Sequence, residues 1–133
     1  MAKSDDVSKK YHAFLGKANA YIEQDKIDGI CPTAEQARVN LDKIGTFYQP
    51  KMHVSRVIDA EISLPNRNIS LRIYDPQPEQ ITSVIIYMHG GGHMCGIVDL
   101  YDTITRRLAV CTAQLVVSID YRLAPEYPYP WAG

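Results

Sequence analysis

The sequence is short of several things at once. Of its 133 residues only three are cysteine, Cys31, Cys95 and Cys111, and no two share a CxxC spacing. A disulfide frame or a zinc site needs a clustered set, so the three are read as reduced thiols. Charge of one sign is missing too: 14 Lys and Arg against 15 Asp and Glu leave a net charge of -1. Nonspecific nucleic-acid binding rests on a basic face, and so does attraction to anionic membranes, so neither partner is indicated. No apolar run nears the roughly 20 residues that cross a bilayer, so no membrane span is expected. The opening MAKSDDVSKK has no apolar core. No secretory signal is read there, and the cytoplasm is the default compartment. Repeats and low-complexity tracts are absent from the sequence, which argues against a solenoid.

What is present is ordinary for a folded domain. Hydrophobic residues make up 46% and charged residues 22%, a globular and not a disordered balance. The length suits one small domain or a piece of a larger one. From about Val7 to Gly29 the apolar residues Tyr11, Phe14, Leu15, Ala18 and Ile22 recur at helical spacing, with Gly29 as a C-cap. Pro32 breaks the chain. Thr33 and Gln36 read as a capping box for a second helix from about Ala34 to Phe47, with Ala37, Leu41, Ile44 and Phe47 or Tyr48 on its apolar side.

The period then changes to two. Val54 to Leu64 and Ile69 to Tyr74 read as an antiparallel hairpin around a turn at residues 65–68. SVIIYM (83–88) is short, apolar and β-branched, as expected of a strand buried on both faces. A glycine-rich loop follows. A helix from about Asp99 to Thr112 is expected to turn Tyr101, Ile104, Leu108 and Cys111 inward, and QLVVSID (114–120) is a second buried strand. A strand–helix–strand unit of this kind favours a parallel pair. The tail YRLAPEYPYPWAG, with three of the eight prolines, is an ordered loop. The order is helix, helix, strand, strand, strand, helix, strand, an α/β pattern.

Chemistry concentrates at residues 89–96, HGGGHMCG. The loop leaves a strand and enters a helix, where open α/β sheets bind ligands. Three successive glycines let the backbone approach a ligand closely, and their N–H groups can converge on an anion. Such a loop suits the oxyanion of a tetrahedral intermediate.

MHGGGHMCG, a helix, and then VVSIDYRLAPEYPYPWAG together resemble the hormone-sensitive-lipase-like branch of the α/β-hydrolases, which are carboxylesterases and lipases. The resemblance implies a partial α/β-hydrolase fold, with cap helices at residues 1–50 and the first part of the hydrolase core at 51–133. It implies oxyanion donors at Gly91 and Gly92. His89 and Gly90 would shape the loop, and Arg122 and Glu126 would form a framework ion pair beside it. It implies a small-molecule ester as substrate, with no metal and no organic cofactor. The family's nucleophile sits in a Gly-x-Ser-x-Gly elbow, followed in chain order by the acid and the histidine. No serine here has that setting, and Ser118 falls inside a predicted strand. No residue is therefore assigned to the triad. The chain reads as truncated before the elbow and inactive by itself, with a complementing C-terminal fragment as a partner to look for. Its SVIIYM strand would lack a neighbour on one side, which predicts poor solubility or a partly molten state.

Three other readings compete. SVIIYM, Gly90, Gly92, Gly96 and Asp120 mimic a dinucleotide-binding Rossmann unit, but the loop runs GxGxxxG and a hairpin precedes it. A noncatalytic remnant or partner-binding module fits the missing nucleophile. A metal held by His89, His93 and Cys95 is the weakest, because the glycines break the helical spacing that would align the ligands.

Overall fold

A computed structural model of the chain describes residues 9–45, 50–80 and 83–130. It contains two compact units that divide after Thr33. The first holds a 3-10 turn, Lys9–Tyr11, and helix α1, His12–Ile27. Gly29 closes α1 at a φ of +67°, where glycine pays no Cβ penalty. The Gly29 amide donates to the Lys26 carbonyl at 3.2 Å and the Ile30 amide to the Asp25 carbonyl at 2.8 Å, a Schellman end. The expected start at Val7 lies outside the described residues. Of the predicted stripe, Tyr11, Leu15 and Ile22 are exposed and Ala18 is half-buried; the Phe14 side chain is not among the described ones.

The second unit opens with α2, Ala34–Gly45, on which Ala37, Arg38 and Leu41 are half-buried. The predicted end at Phe47 and Tyr48 lies outside the described residues, as does the Ile44 side chain. Four strands follow: β1 (Arg56–Leu64), β2 (Arg67–Asp75), β3 (Val84–Met88) and β4 (Leu115–Asp120), with α3 (Val98–Thr112) between the last two. They form one sheet in the order β1-β2-β4-β3. β1 and β2 pair antiparallel with Leu64 opposite Arg67. The turn is therefore two residues, Pro65 and Asn66, and Arg67 and Asn68 belong to the strand. β2 also pairs antiparallel with β4, while β3 and β4 are parallel.

The register sorts the sheet into two unlike faces, because successive side chains point opposite ways. One face packs beneath α3. Tyr74, Val116 and Ala109 are fully buried there, joined by Val54 and flanked by Val57, Ile85, Tyr87 and Leu108. Full burial of a side chain such as Val116 contributes about 1.5–3 kcal/mol.

Two sequence expectations change here. The helix α3 turns Asp102, Thr105 and Ala109 fully inward, while Tyr101 and Leu108 are half-buried and Ile104 and Cys111 are exposed. Hydrophobicity ranks an aspartate outward; this one is buried because hydrogen bonds and cations surround it. β3 is also not buried on both faces. It stands at the edge of the sheet, and Val84, Ile86 and Met88 are exposed while Ile85 and Tyr87 are half-buried.

β3 and β4 run in the same direction, so the segments leaving them emerge at the same end of the sheet. The glycine loop and residues 121–130 meet there.

Candidate oxyanion site

The glycine loop is a tight backbone knot. The Met94 and Cys95 amides both donate to the Gly91 carbonyl at 3.1 Å, and the Cys95 thiol reaches the same oxygen at 3.1 Å. Gly91 has a φ of +131°, and a Cβ there would overlap the Cys95 carbonyl. Gly96, at φ +104°, lies so close to the buried His89 ring that a Cβ would meet its Nδ1 at 2.5 Å. These two positions demand glycine, one for the turn and one for close approach.

His89 sits beneath the loop. Its ring stacks on Tyr121 with centroids 4.3 Å apart and on Tyr101 at 5.4 Å. Its Nδ1 lies 3.0 Å from the Gly90 carbonyl, an arrangement that needs the proton on Nδ1. Nε2 is buried and has no partner among the described residues. The Tyr121 hydroxyl donates to the His89 carbonyl at 2.7 Å, and burial raises that phenol's pKa. His93 itself has a φ of +59°, and its carbonyl accepts the Ala124 amide at 2.8 Å. The two loops are thus tied together by backbone.

Glu126 has a different partner from the one expected. Both of its carboxylate oxygens are taken by the guanidinium of Arg38 on α2, at 2.8 and 2.7 Å. Arg38 holds that carboxyl down to about 2, helped by a backbone hydrogen bond. Arg122 lies over the Tyr127 ring at 4.5 Å. Nothing in the sequence flags Arg38, which is 88 positions from its carboxylate.

Above the loop opens a cavity of ≈ 810 Å³, walled by Met88, the three glycines, His93 and the tyrosines at 121, 127 and 129. Among the described residues, neither the Gly91 nor the Gly92 amide donates a hydrogen bond within the chain. Two adjacent unsatisfied N–H groups beside an aromatic cavity are equipped to receive an oxygen bearing negative charge.

The other predicted residues fall as follows. Ser118 is fully buried in β4, and its hydroxyl has no hydrogen-bond partner among the described residues. Asp120 lies at the exposed end of β4 and lines a separate groove with Asp59, Glu61 and Asp99. That placement, with the antiparallel β1–β2–β4 pairing, departs from a Rossmann unit. His89, His93 and Cys95 do not converge, and no group of three or more His, Cys, Asp or Glu able to hold a metal occurs among the described residues. No helix among those residues is long and apolar enough to cross a membrane.

The sheet order β1-β2-β4-β3, with its antiparallel pairs and a glycine loop leaving the parallel strand β3, fits part of an α/β-hydrolase fold. Comparison with known proteins agrees. The family model described as the alpha/beta hydrolase fold matches residues 85–133. Esterase LipI of Mycobacterium tuberculosis is 46% identical over 87 residues, which are 63% of this chain and 27% of that protein. The arylesterase of Saccharolobus solfataricus is 30% identical over 84% of this chain and 37% of its own length. Among solved structures, an ester-hydrolase from the metagenome of Lake Arreo superposes with a TM-score of 0.75 at 29% identity, over 95% of this chain and 41% of that one. The Pyrobaculum calidifontis esterase gives 0.67 at 33% identity, over 76% and 34%. The chain belongs to the α/β-hydrolase fold family, in its hormone-sensitive-lipase-like esterase branch. It spans 27% and 37% of the length of the two curated relatives named here.

Proposed function

We propose that residues 89–96 form the oxyanion-binding half of a carboxylic-ester hydrolase acting on small-molecule esters. The observation that carries this reading is the pair of amides without a partner among the described residues, at Gly91 and Gly92, two residues that line the ≈ 810 Å³ cavity. In this chemistry a serine oxygen attacks the ester carbonyl carbon. The carbonyl π electrons move onto its oxygen, and that oxyanion is held by the loop amides until the bond to the alcohol oxygen breaks. A base takes the serine proton and returns it to the leaving alcohol. One lost oxyanion donor typically costs about 2.7–4 kcal/mol of barrier. His89, Gly90, Arg122 and Glu126 shape the loop and its neighbour. The reaction needs no metal and no organic cofactor.

The nucleophile, base and acid come from sequence outside residues 1–133, on a complementing C-terminal segment. The buried setting of Ser118 supports this, since its hydroxyl has no access to a substrate. Residues 1–50 are the cap-helix segment and residues 51–133 the first part of the hydrolase core, and the cytoplasm is the compartment.

A chromogenic short-chain ester tests the reading. The 133-residue chain alone is expected to give no turnover above background. Adding a segment that carries a Gly-x-Ser-x-Gly elbow restores hydrolysis, and replacing the Gly92 amide by an ester linkage, which removes that N–H without a side chain at its φ of +61°, lowers it about 10²–10³-fold. Turnover by the chain alone that is lost in Ser118→Ala would overturn the assignment of the nucleophile elsewhere. No hydrolysis with any elbow-bearing segment would favour a noncatalytic binding module.

A further inference from the structure

One side chain outside the glycines touches both segments that frame the cavity. Arg38 Nε donates to the Met94 carbonyl at 2.8 Å, and Nη2 donates to the Ala124 carbonyl at 3.1 Å. The same guanidinium closes a bidentate pair on Glu126. Met94 is part of the knot around the Gly91 carbonyl, and Ala124 is bonded to the carbonyl of His93. A rigid planar fork therefore spans three acceptors belonging to two loops.

The ion pair is half-exposed, with side-chain exposures of 32% and 52%, so charge alone adds little to overall stability. What the fork supplies is geometry. We propose that Arg38 is a positioning residue: resting on the oxyanion reading above, its guanidinium sets the spacing between the glycine knot and residues 121–130 and so the aim of the Gly91 and Gly92 amides. Lysine at this position keeps the charge and can pair with Glu126. A point charge on a flexible stem cannot hold both carbonyls and the carboxylate in one plane.

Hydrogen exchange of the purified 133-residue chain at pH 7 tests this without any ester. The informative amides are Met94, Cys95 and Ala124, each hydrogen-bonded in the knot or across the loops, with those of β2 and β4 as the reference. In Arg38→Gln the three are expected to exchange about tenfold faster while the reference amides stay within about twofold. Arg38→Lys should resemble Arg38→Gln. Glu126→Gln, which leaves both carbonyl bonds, should keep most of the protection. Unchanged rates in Arg38→Gln, full protection in Arg38→Lys, or an equal acceleration in β2 and β4 would each overturn the proposal. So would an unaltered chain with no protection at the three amides. Failure of the hydrolysis assay leaves this result standing, so the two readings fail separately.

Discussion

The Tyr74 hydroxyl donates to the Asp102 carboxylate at 2.8 Å, and both side chains are fully buried between the sheet and α3. Arg106 Nε reaches the same carboxylate at 2.9 Å and Lys51 Nζ at 2.8 Å, with Arg72 Nη1 at 3.6 Å. The core of this unit is thus pinned by an acid that cations and a phenol satisfy.

Removing that acid should be costly. Asp102→Ala leaves Arg72 and Arg106 facing a buried gap, and losing one partner of a buried pair costs about 3–5 kcal/mol. The lower part of that range is expected, because Lys51 can turn to solvent. Tyr74→Phe, which removes one hydrogen bond to a charged group, should cost about 1.5–3 kcal/mol. Urea denaturation of the two variants checks both the order and the gap between them.

The same network fixes the response to pH. Burial pushes the Asp102 carboxyl up, but hydrogen bonds from Lys51, Arg106 and Tyr74 bring it below the ordinary value. Its contribution is then fully present above the unfolded carboxylate pKa of about 3.9 and is lost as pH falls through the lower folded value. Burial raises Tyr74 to about 12. That contribution is full below the unfolded phenol pKa of about 10 and is lost as pH rises toward the folded one. Stability measured against pH should fall at both ends; Asp102→Asn should flatten the acid limb and also trim the alkaline one, because the Asp102 carboxylate helps burial to raise Tyr74.

Neighbouring glycines of the loop should answer differently to alanine. A Cβ at Gly91 strikes backbone, and its φ of +131° is open to little else than glycine; Gly91→Ala should cost about 2–3 kcal/mol. Gly92, at φ +61°, has nothing within 4 Å of a Cβ. Gly92→Ala should cost only the left-handed penalty, about 1 kcal/mol. Thermal melts of the pair separate steric clash from backbone preference.

Helix α3 ends on Ala113 at φ +54°, a left-handed position without a glycine. Ala113→Gly removes a penalty of about 1–2 kcal/mol and returns about 0.4–1 kcal/mol through a looser unfolded chain. A net gain near 0.5 kcal/mol is expected, seen as a higher Tm with unchanged circular dichroism.

The sheet face opposite α3 carries Ile58, Ile62, Val84, Ile86 and Met88, all exposed. The 133-residue chain produced alone should self-associate through it, since apolar edges and patches attract copies. Ile86→Lys puts a charge on the edge strand and should shift sedimentation toward monomer severalfold at equal concentration. A chain that sediments as monomer at high concentration before any substitution would count against this.

Much of the fold was legible because local pattern and final structure agree. Alternation in IDAEIS and ISLRIY marked the hairpin, and the glycine loop between two β-branched runs marked the parallel unit. The pattern misled where burial depends on partners remote in sequence. VIIYM has the composition of an interior strand; its place at the sheet edge, which the family resemblance implied, is set by which strands it meets and not by its own residues. Asp102 reads as a solvent-facing turn of α3 until Lys51, Tyr74 and Arg106 are brought around it. The candidate site divides the same way. Its glycines announced themselves, whereas Arg38 lies in a helix whose sequence, AEQARVNLDKIG, gives no hint of two carbonyls and a carboxylate waiting far along the chain.

Transplanting the octapeptide at 89–96 into a foreign scaffold would carry the glycines' permissive dihedrals but not their shape. The imidazole below needs its flanking phenols, and the backbone oxygen of Met94 needs a guanidinium delivered from another element. A useful graft of this loop is therefore discontinuous, built from at least three separated stretches of chain.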